Sequence, residues 1–234
     1  MALQSRDCEL LAASGWLAET PVRFRDALLE RCMPKRYERG EVVYRAGDPA
    51  GGLYGLVAGG IGVVLSPEHR EPYIGTFARP GFWIGEGSVL TRAPRLIGIQ
   101  ALRESRLAHL SLSQWDALVE SEPDAWRWFA HLVARNERLA LAVADALMTR
   151  DSGQRLAAIL LILSMHGAPA PADGSVEIEA SQDDLARLAN LSRSSTGRIL
   201  QRLEAAGIIR NAYRQVRLID REGLRAHGFR KLSA

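Results

Sequence analysis

The side chains of this sequence with the clearest chemical vocation lie between Ser181 and Arg214. In the run Leu191-Ser192-Arg193-Ser194-Ser195-Thr196-Gly197-Arg198, four residues (Arg193, Ser194, Gly197 and Arg198) recur at spacings that gather them on one arc of a helix. An arginine on such an arc offers a planar pair of donors that fits guanine O6 and N7, worth about 1–3 kcal/mol of discrimination per good pair. Ser194 both donates and accepts, so it discriminates weakly, and Gly197 lets the helix approach a duplex closely. Arg202, Ser192, Ser195 and Gln182 are better placed for phosphates, which set affinity rather than sequence. The chemistry expected of this segment is recognition of double-stranded DNA.

Such an arc needs a rigid support, and the flanking residues provide one. Ser181 is an N-cap for a short helix whose inward positions are Leu185, Ala186 and Ala189. Asn190 tolerates the left-handed conformation that stops that helix. Ser192 caps a second helix, with Ile199, Leu200 and Leu203 turned inward. Two short helices joined by so tight a turn make a helix-turn-helix. Gly207-Ile208-Ile209-Arg210 and Val216-Arg217-Leu218-Ile219 then read as a β-hairpin, a wing with Arg214 near its tip. Charge agrees: residues 181–234 hold eleven Arg/Lys against five Asp/Glu, while the rest of the chain is slightly acidic although the whole is +3.

Upstream the punctuation changes. Thirteen of the 21 glycines fall between Gly40 and Gly98, among short runs such as Glu41-Val42-Val43-Tyr44 and Gly62-Val63-Val64-Leu65. Strands broken at roughly 8–12-residue intervals suggest an all-β roll or barrel, preceded by a helix from Phe24 to Arg36. From Pro123 to Thr149 there is no glycine and no internal proline, which predicts one helix of roughly 40 Å. Along it Phe129, Leu132, Asn136, Leu139, Val143 and Ala146 follow the three- and four-residue spacings of a coiled-coil seam. A second stripe, Trp126, Val133, Ala140 and Leu147, faces elsewhere. The seam is expected to meet a partner helix, with Asn136 holding a parallel homodimer in register. Asp151-Ser152-Gly153 makes a hinge, a buried helix runs from Gln154 to Met165, and a Pro/Ala/Gly-rich loop fills Gly167 to Gly174. The expected class is α+β: a β-roll sensor domain with N-terminal helices over 1–121, a dimerisation helix over 122–150, and a winged helix-turn-helix over 151–234.

Several classes are excluded or disfavoured. The longest apolar run, Leu156 to Leu163, is too short to cross a bilayer, and the first ten residues lack the pattern of a secretory signal, so a cytoplasmic location is expected. Cys8 and Cys32 cannot supply a four-cysteine iron–sulfur cluster; they read as ordinary thiols, with a thiol switch left open. A cupin-type metal enzyme needs clustered histidine and carboxylate ligands, yet His69 is the only histidine between Gly40 and Gly98. His69, His109, His131, His166 and His227 leave haem ligation open without singling out a ligand. A ligand-binding signalling module that touches no DNA is the other alternative.

Taken together, residues 20 to 225 resemble the CRP/FNR family of bacterial transcription regulators, most specifically in Leu191-Ser192-Arg193, Gly197-Arg198-Ile199-Leu200, Leu203 and Gly207-Ile208-Ile209. The resemblance implies that Arg193 and Arg198 read bases, and that RNA polymerase is a further partner. The family often has Glu, which accepts from cytosine, where this chain has Ser194. In cyclic-nucleotide-binding relatives a Gly-Glu pair holds the ribose and an Arg-Ser or Arg-Thr pair holds the phosphate. Here the corresponding effector pocket is Gly85, Glu86, Ser88 and Arg95, but Leu96 follows Arg95, and Ala140 and Leu141 stand where relatives supply purine-reading hydroxyls. Two recognition elements are therefore missing, and the effector is left unassigned, with a cyclic nucleotide possible.

Overall fold

The glycine-punctuated runs pair into two four-stranded antiparallel sheets. The computed structural model describes residues 2–69, 71–165, 175–212 and 214–228, so His166 and the expected Gly167–Gly174 loop lie outside the described residues. One sheet has the order β1 (Met33–Tyr37), β8 (Ser105–Leu110), β3 (Leu53–Ala58), β6 (Trp83–Ile84). The other has β2 (Val42–Tyr44), β7 (Gly98–Ala101), β4 (Ile61–Leu65), β5 (Tyr73–Ala78). The result is the jelly-roll-like sensor domain expected. Gly59, at φ +89°, turns β3 into β4 where a Cβ would lie 2.3 Å from the carbonyl oxygen of Glu104, so only glycine fits.

Helices α1 (Ser5–Ala12), α2 (Val22–Glu30), α3 (Glu86–Thr91) and α4 (Leu112–Ser121) accompany these sheets. The helix expected over Phe24–Arg36 stops at Glu30. Pro34 lacks the N–H a helix interior requires, and Met33 to Tyr37 instead pair with His109 to Ser105 as an edge strand.

α5 (Ala125–Met148) matches the long helix expected, but its faces are reversed. Phe129 and Leu132 are fully buried in the chain's own core with Trp16, Phe24, Trp83 and Trp115. Phe129 meets Phe24 edge-on at 5.7 Å and lies 5.5 Å from Trp115. Asn136 donates from Nδ2 to Glu86 Oε1 at 2.8 Å and to the Trp83 carbonyl at 3.1 Å. Both hydrogen bonds of its amide nitrogen are thus made within the chain. Leu139 is buried and Val143 half-buried. The assignment of Phe129, Leu132 and Asn136 to a dimer seam is therefore corrected: spacing marks an apolar stripe, while burial against the large aromatic rings of residues 16–115 decides which stripe turns inward. The stripe left outside comprises Trp126 (49% exposed), Val133, Ala140, Leu141 (61%), Leu147 and Met148 (80%).

The chain divides into two compact units whose border falls within α5, between Glu137 and Arg138. The second unit contains α6 (Ser152–Met165), β9 (Val176–Ile178), α7 (Gln182–Leu188), α8 (Arg193–Ala205), β10 (Ile209–Ala212), β11 (Gln215–Leu218) and α9 (Arg221–Gly228). The strands form one antiparallel sheet in the order β10-β11-β9, and α6, buried along most of its length, packs against α9 and α8. Among the described residues no helix is long and apolar enough to cross a membrane.

Candidate nucleic-acid interface and effector site

α7 and α8 form the helix-turn-helix by the local means the sequence specifies. The Ser181 hydroxyl accepts from the Asp184 N–H at 3.1 Å, while the Asp184 carboxylate accepts from the Ser181 N–H at 2.9 Å, a reciprocal cap. Asn190 takes φ +50°, and the Leu191 N–H returns to the Ala186 carbonyl at 2.8 Å. Ser192 caps α8 by accepting from the Ser195 N–H at 3.2 Å. Leu185, Leu200 and Leu203 are completely buried beneath, with Ala186 and Ile199 nearly so.

This framework leaves Arg193, Ser194, Arg198 and Arg202 exposed. Arg193 Nε lies 3.5 Å from Asp183 Oδ1 of α7, an exposed pair of little energetic weight that leaves the ends of the guanidinium facing solvent. Arg198 Nη2 donates to Ser195 Oγ at 3.4 Å, and Ser195 also accepts from Ser192 Oγ at 2.9 Å. Ser195, expected on a phosphate, is thus half-buried and occupied in steadying Arg198. Gly197 is half-buried too: a Cβ there would meet Gln182 Oε1 at 3.4 Å, so the close approach at Gly197 includes the side chain of Gln182. Gln201, outside the expected set, is exposed seven residues after Ser194 and three after Arg198. The signal that reveals it is helical spacing extended one turn further. Arg214 occupies the wing turn at φ +57° and is exposed.

Behind α8 an open cleft of about 640 Å³ is lined by Arg198, Arg202, the hinge residues Asp151 to Gln154, and His227 of α9. Asp151 Oδ1 caps α6 by accepting from the Gln154 N–H at 2.8 Å. Arg155 ties three points together, donating to the carbonyls of Thr149 (2.5 Å), Arg150 (3.5 Å) and Ala189 (2.7 Å). A single half-buried arginine therefore fastens the end of α5 and the hinge to the turn preceding the recognition helix.

The effector residues of the β-roll look quite different. Arg95 is buried, and its guanidinium donates to the carbonyls of Gly52 at 2.7 Å and Gly85 at 3.1 Å while lying 4.2 Å above the Tyr44 ring. Gly85, at φ +105°, leaves room for it: a Cβ there would stand 2.7 Å from Arg95 Nη1. Glu86 opens α3, one carboxylate oxygen accepting from Asn136 and the other buried without a hydrogen-bond partner. Burial raises its pKa above the ordinary 4.5, only partly offset by the Asn136 and backbone hydrogen bonds and by Arg95. The Tyr44 hydroxyl is also buried and unpartnered, and burial raises its pKa. Ser88 is buried. Structure thus brings Gly85, Glu86 and Arg95 together and adds Tyr44 and Asn136, which the sequence reading did not assign here. Leu96 projects outward, 89% exposed, and Ala140 and Leu141 are exposed on α5.

The remaining candidates are structural in setting. His109 shares a 2.7 Å hydrogen bond with the Gly51 carbonyl, stacks on Tyr54 at 4.4 Å, and has its pKa lowered by burial. Burial raises the pKa of both Cys32 and Cys8, holding them as thiols. No group of three or more His, Cys, Asp or Glu that would hold a metal occurs among the described residues.

A jelly-roll-like sensor, a long helix and a winged helix-turn-helix define a class of ligand-sensing transcription regulators. Residues 34–122 match the cyclic nucleotide-binding domain, and residues 154–227 match the Crp-like helix-turn-helix domain. This chain belongs to the CRP/FNR family of transcription regulators. It is 27% identical over 191 residues to the transcriptional regulatory protein btr of Bordetella pertussis, covering 81% of this chain and 78% of that one. It is 29% identical over 182 residues to the CRP-like protein Clp of Xanthomonas campestris pv. campestris, covering 75% and 79%. The structure of FixK2 from Bradyrhizobium japonicum superimposes with a TM-score of 0.72 over 84% of this chain and 96% of that one; at 20% identity the likeness is one of fold.

Proposed function

We propose that the protein acts as a parallel homodimer that binds a two-fold symmetric operator in double-stranded DNA, under control of a signal received in the β-roll. The observation that carries this reading is the outer face of α8, where Arg193 and Arg198 stand exposed on a helix capped by Ser192 and preceded by the capped helix α7. Arg193 and Arg198 serve as base readers, Arg202, Ser192 and Gln182 as phosphate contacts, and Arg214 flanks the duplex from the wing. The partner subunit meets the exposed stripe of α5, Trp126, Val133, Ala140, Leu141, Leu147 and Met148. A parallel pairing puts both recognition helices at one end of the dimer, as two half-sites one helical turn apart (~34 Å) require. RNA polymerase is the further partner that family membership implies.

The β-roll receives its effector by means other than the cyclic AMP pattern. Arg95 is engaged by two carbonyls, Leu96 brings no hydroxyl, and Ala140 and Leu141 offer none from α5. A ligand at about 100 times its Kd stabilises a fold by roughly 2.7 kcal/mol. Thermal unfolding with millimolar cyclic AMP should therefore show no rise in Tm. A clear rise that disappears in Arg95→Ala overturns this part of the reading.

The DNA part is tested by selecting bound sequences from a random duplex library. Enrichment of a symmetric sequence is expected. Arg198→Ala should lose about 1–3 kcal/mol on it and relax preference at one base pair per half-site. An equal loss on random DNA would reassign Arg198 to the backbone.

A further inference from the structure

The inward side chains of α8 are Thr196, Ile199, Leu200 and Leu203, all buried. At 3.6 residues per turn the direction opposite to their mean passes between Ser194, Arg198 and Gln201, at i, i+4 and i+7. The Gln201 side chain is exposed and, among the described residues, makes no hydrogen bond. It follows Arg198 by three residues on the outward face, while the exposed Arg202 lies about 100° further round the helix, so the face that Arg198 opens carries a neutral amide one turn on.

That substitution of chemistry is informative. A phosphate is neutralised best by a cation, and Arg202 next door provides one. An amide gains most against a base edge, where its paired donor and acceptor fit adenine N6 and N7. Distance permits it: seven residues of helix advance about 10.5 Å, within the roughly 12 Å width of the major groove. A homeodomain recognition helix likewise reads bases from positions seven residues apart.

We propose that Gln201 is a specificity-determining residue that reads adenine in the major groove, so that each half-site carries an A·T pair beside the guanine contacted by Arg198. This rests on the DNA-binding reading above and deepens it. With Ser194 in place of an acceptor for cytosine, Gln201 supplies the second strong base contact of the Ser194–Arg198–Gln201 face.

The test compares wild-type protein, Gln201→Ala and Gln201→Glu, each selected on a random duplex library and then titrated against the winning operator, its single-base variants and random DNA. Changing the adenine should weaken wild type by roughly 5- to 100-fold per half-site. Gln201→Ala should bring that ratio close to one without changing affinity for random DNA. Gln201→Glu should shift the preference at the same position towards cytosine, whose N4 amino group a carboxylate accepts from. Uniform weakening of Gln201→Ala on every sequence, or an unchanged preference, overturns the proposal while leaving the regulator reading intact. Failure of wild type to enrich any symmetric sequence overturns both.

Discussion

The recognition helix and the effector pocket use the same side-chain types in opposite ways. On α8 the arginines point to solvent, held only by weak or local contacts such as Arg193 with Asp183 and Arg198 with Ser195. In the β-roll, Arg95 is buried on two carbonyls and a tyrosine ring, and Glu86 is half-occupied by Asn136. An exposed arginine is ready for a partner that arrives from solvent. A buried one must exchange contacts before it can take a ligand, so the pocket is coupled to its surroundings in a way the DNA face is not. Through Asn136 those surroundings include α5 itself. Matching residues therefore do not make matching sites: the Arg95 guanidinium is engaged by two carbonyls within the protein, while Glu86 keeps one buried carboxylate oxygen without a partner.

The largest effect is expected at α5. Phe129→Ala should destabilise the protein by about 3–5 kcal/mol in chemical denaturation, because it hollows an aromatic core. Leu147→Asp, on the outer stripe, should leave that stability nearly unchanged. Instead it should weaken self-association by roughly tenfold or more in sedimentation experiments. Wild-type folding stability in Leu147→Asp with no change in association would return the dimer surface to another element.

At the pocket, Arg95→Ala should cost about 1–3 kcal/mol of stability, since the Gly52 and Gly85 carbonyls lose their donors. On α8 the matching change, Arg202→Ala, should not move Tm. It should weaken binding to all DNA sequences alike and lower the salt slope by about one per contact. A smaller effect, about 1 kcal/mol, is expected for Ser192→Ala, which removes the cap of α8.

The smallest effect concerns pH. Glu86 has a raised pKa in the folded protein, so its protonation favours the fold: the stabilisation is complete below the unfolded value and is lost as pH rises through the folded value. Glu86→Gln should therefore melt slightly higher than wild type at neutral pH, the two curves converging as pH falls below about 4. A constant difference across that range would show that the carboxyl is not the titrating group.

The helix-turn-helix is legible in the sequence almost to the residue. Its caps at Ser181 and Ser192, its left-handed Asn190 and its inward leucines act between residues a few positions apart, so local spacing specifies them. The β-roll was legible as a class because glycines must mark its turns, and the existence and length of α5 followed from an uninterrupted run without glycine or proline. Which face of α5 turns inward depends on aromatic residues 16, 24, 83 and 115, brought to it from four separate segments. Those long-range contacts also moved Asn136 from a dimer seam to Glu86 and turned Phe24–Arg36 from one helix into a helix and an edge strand. The same contacts closed Arg95 onto Gly52, Gly85 and Tyr44. Periodicity records that a side chain is apolar or polar on a given face; what it meets there is set by parts of the chain far away in sequence.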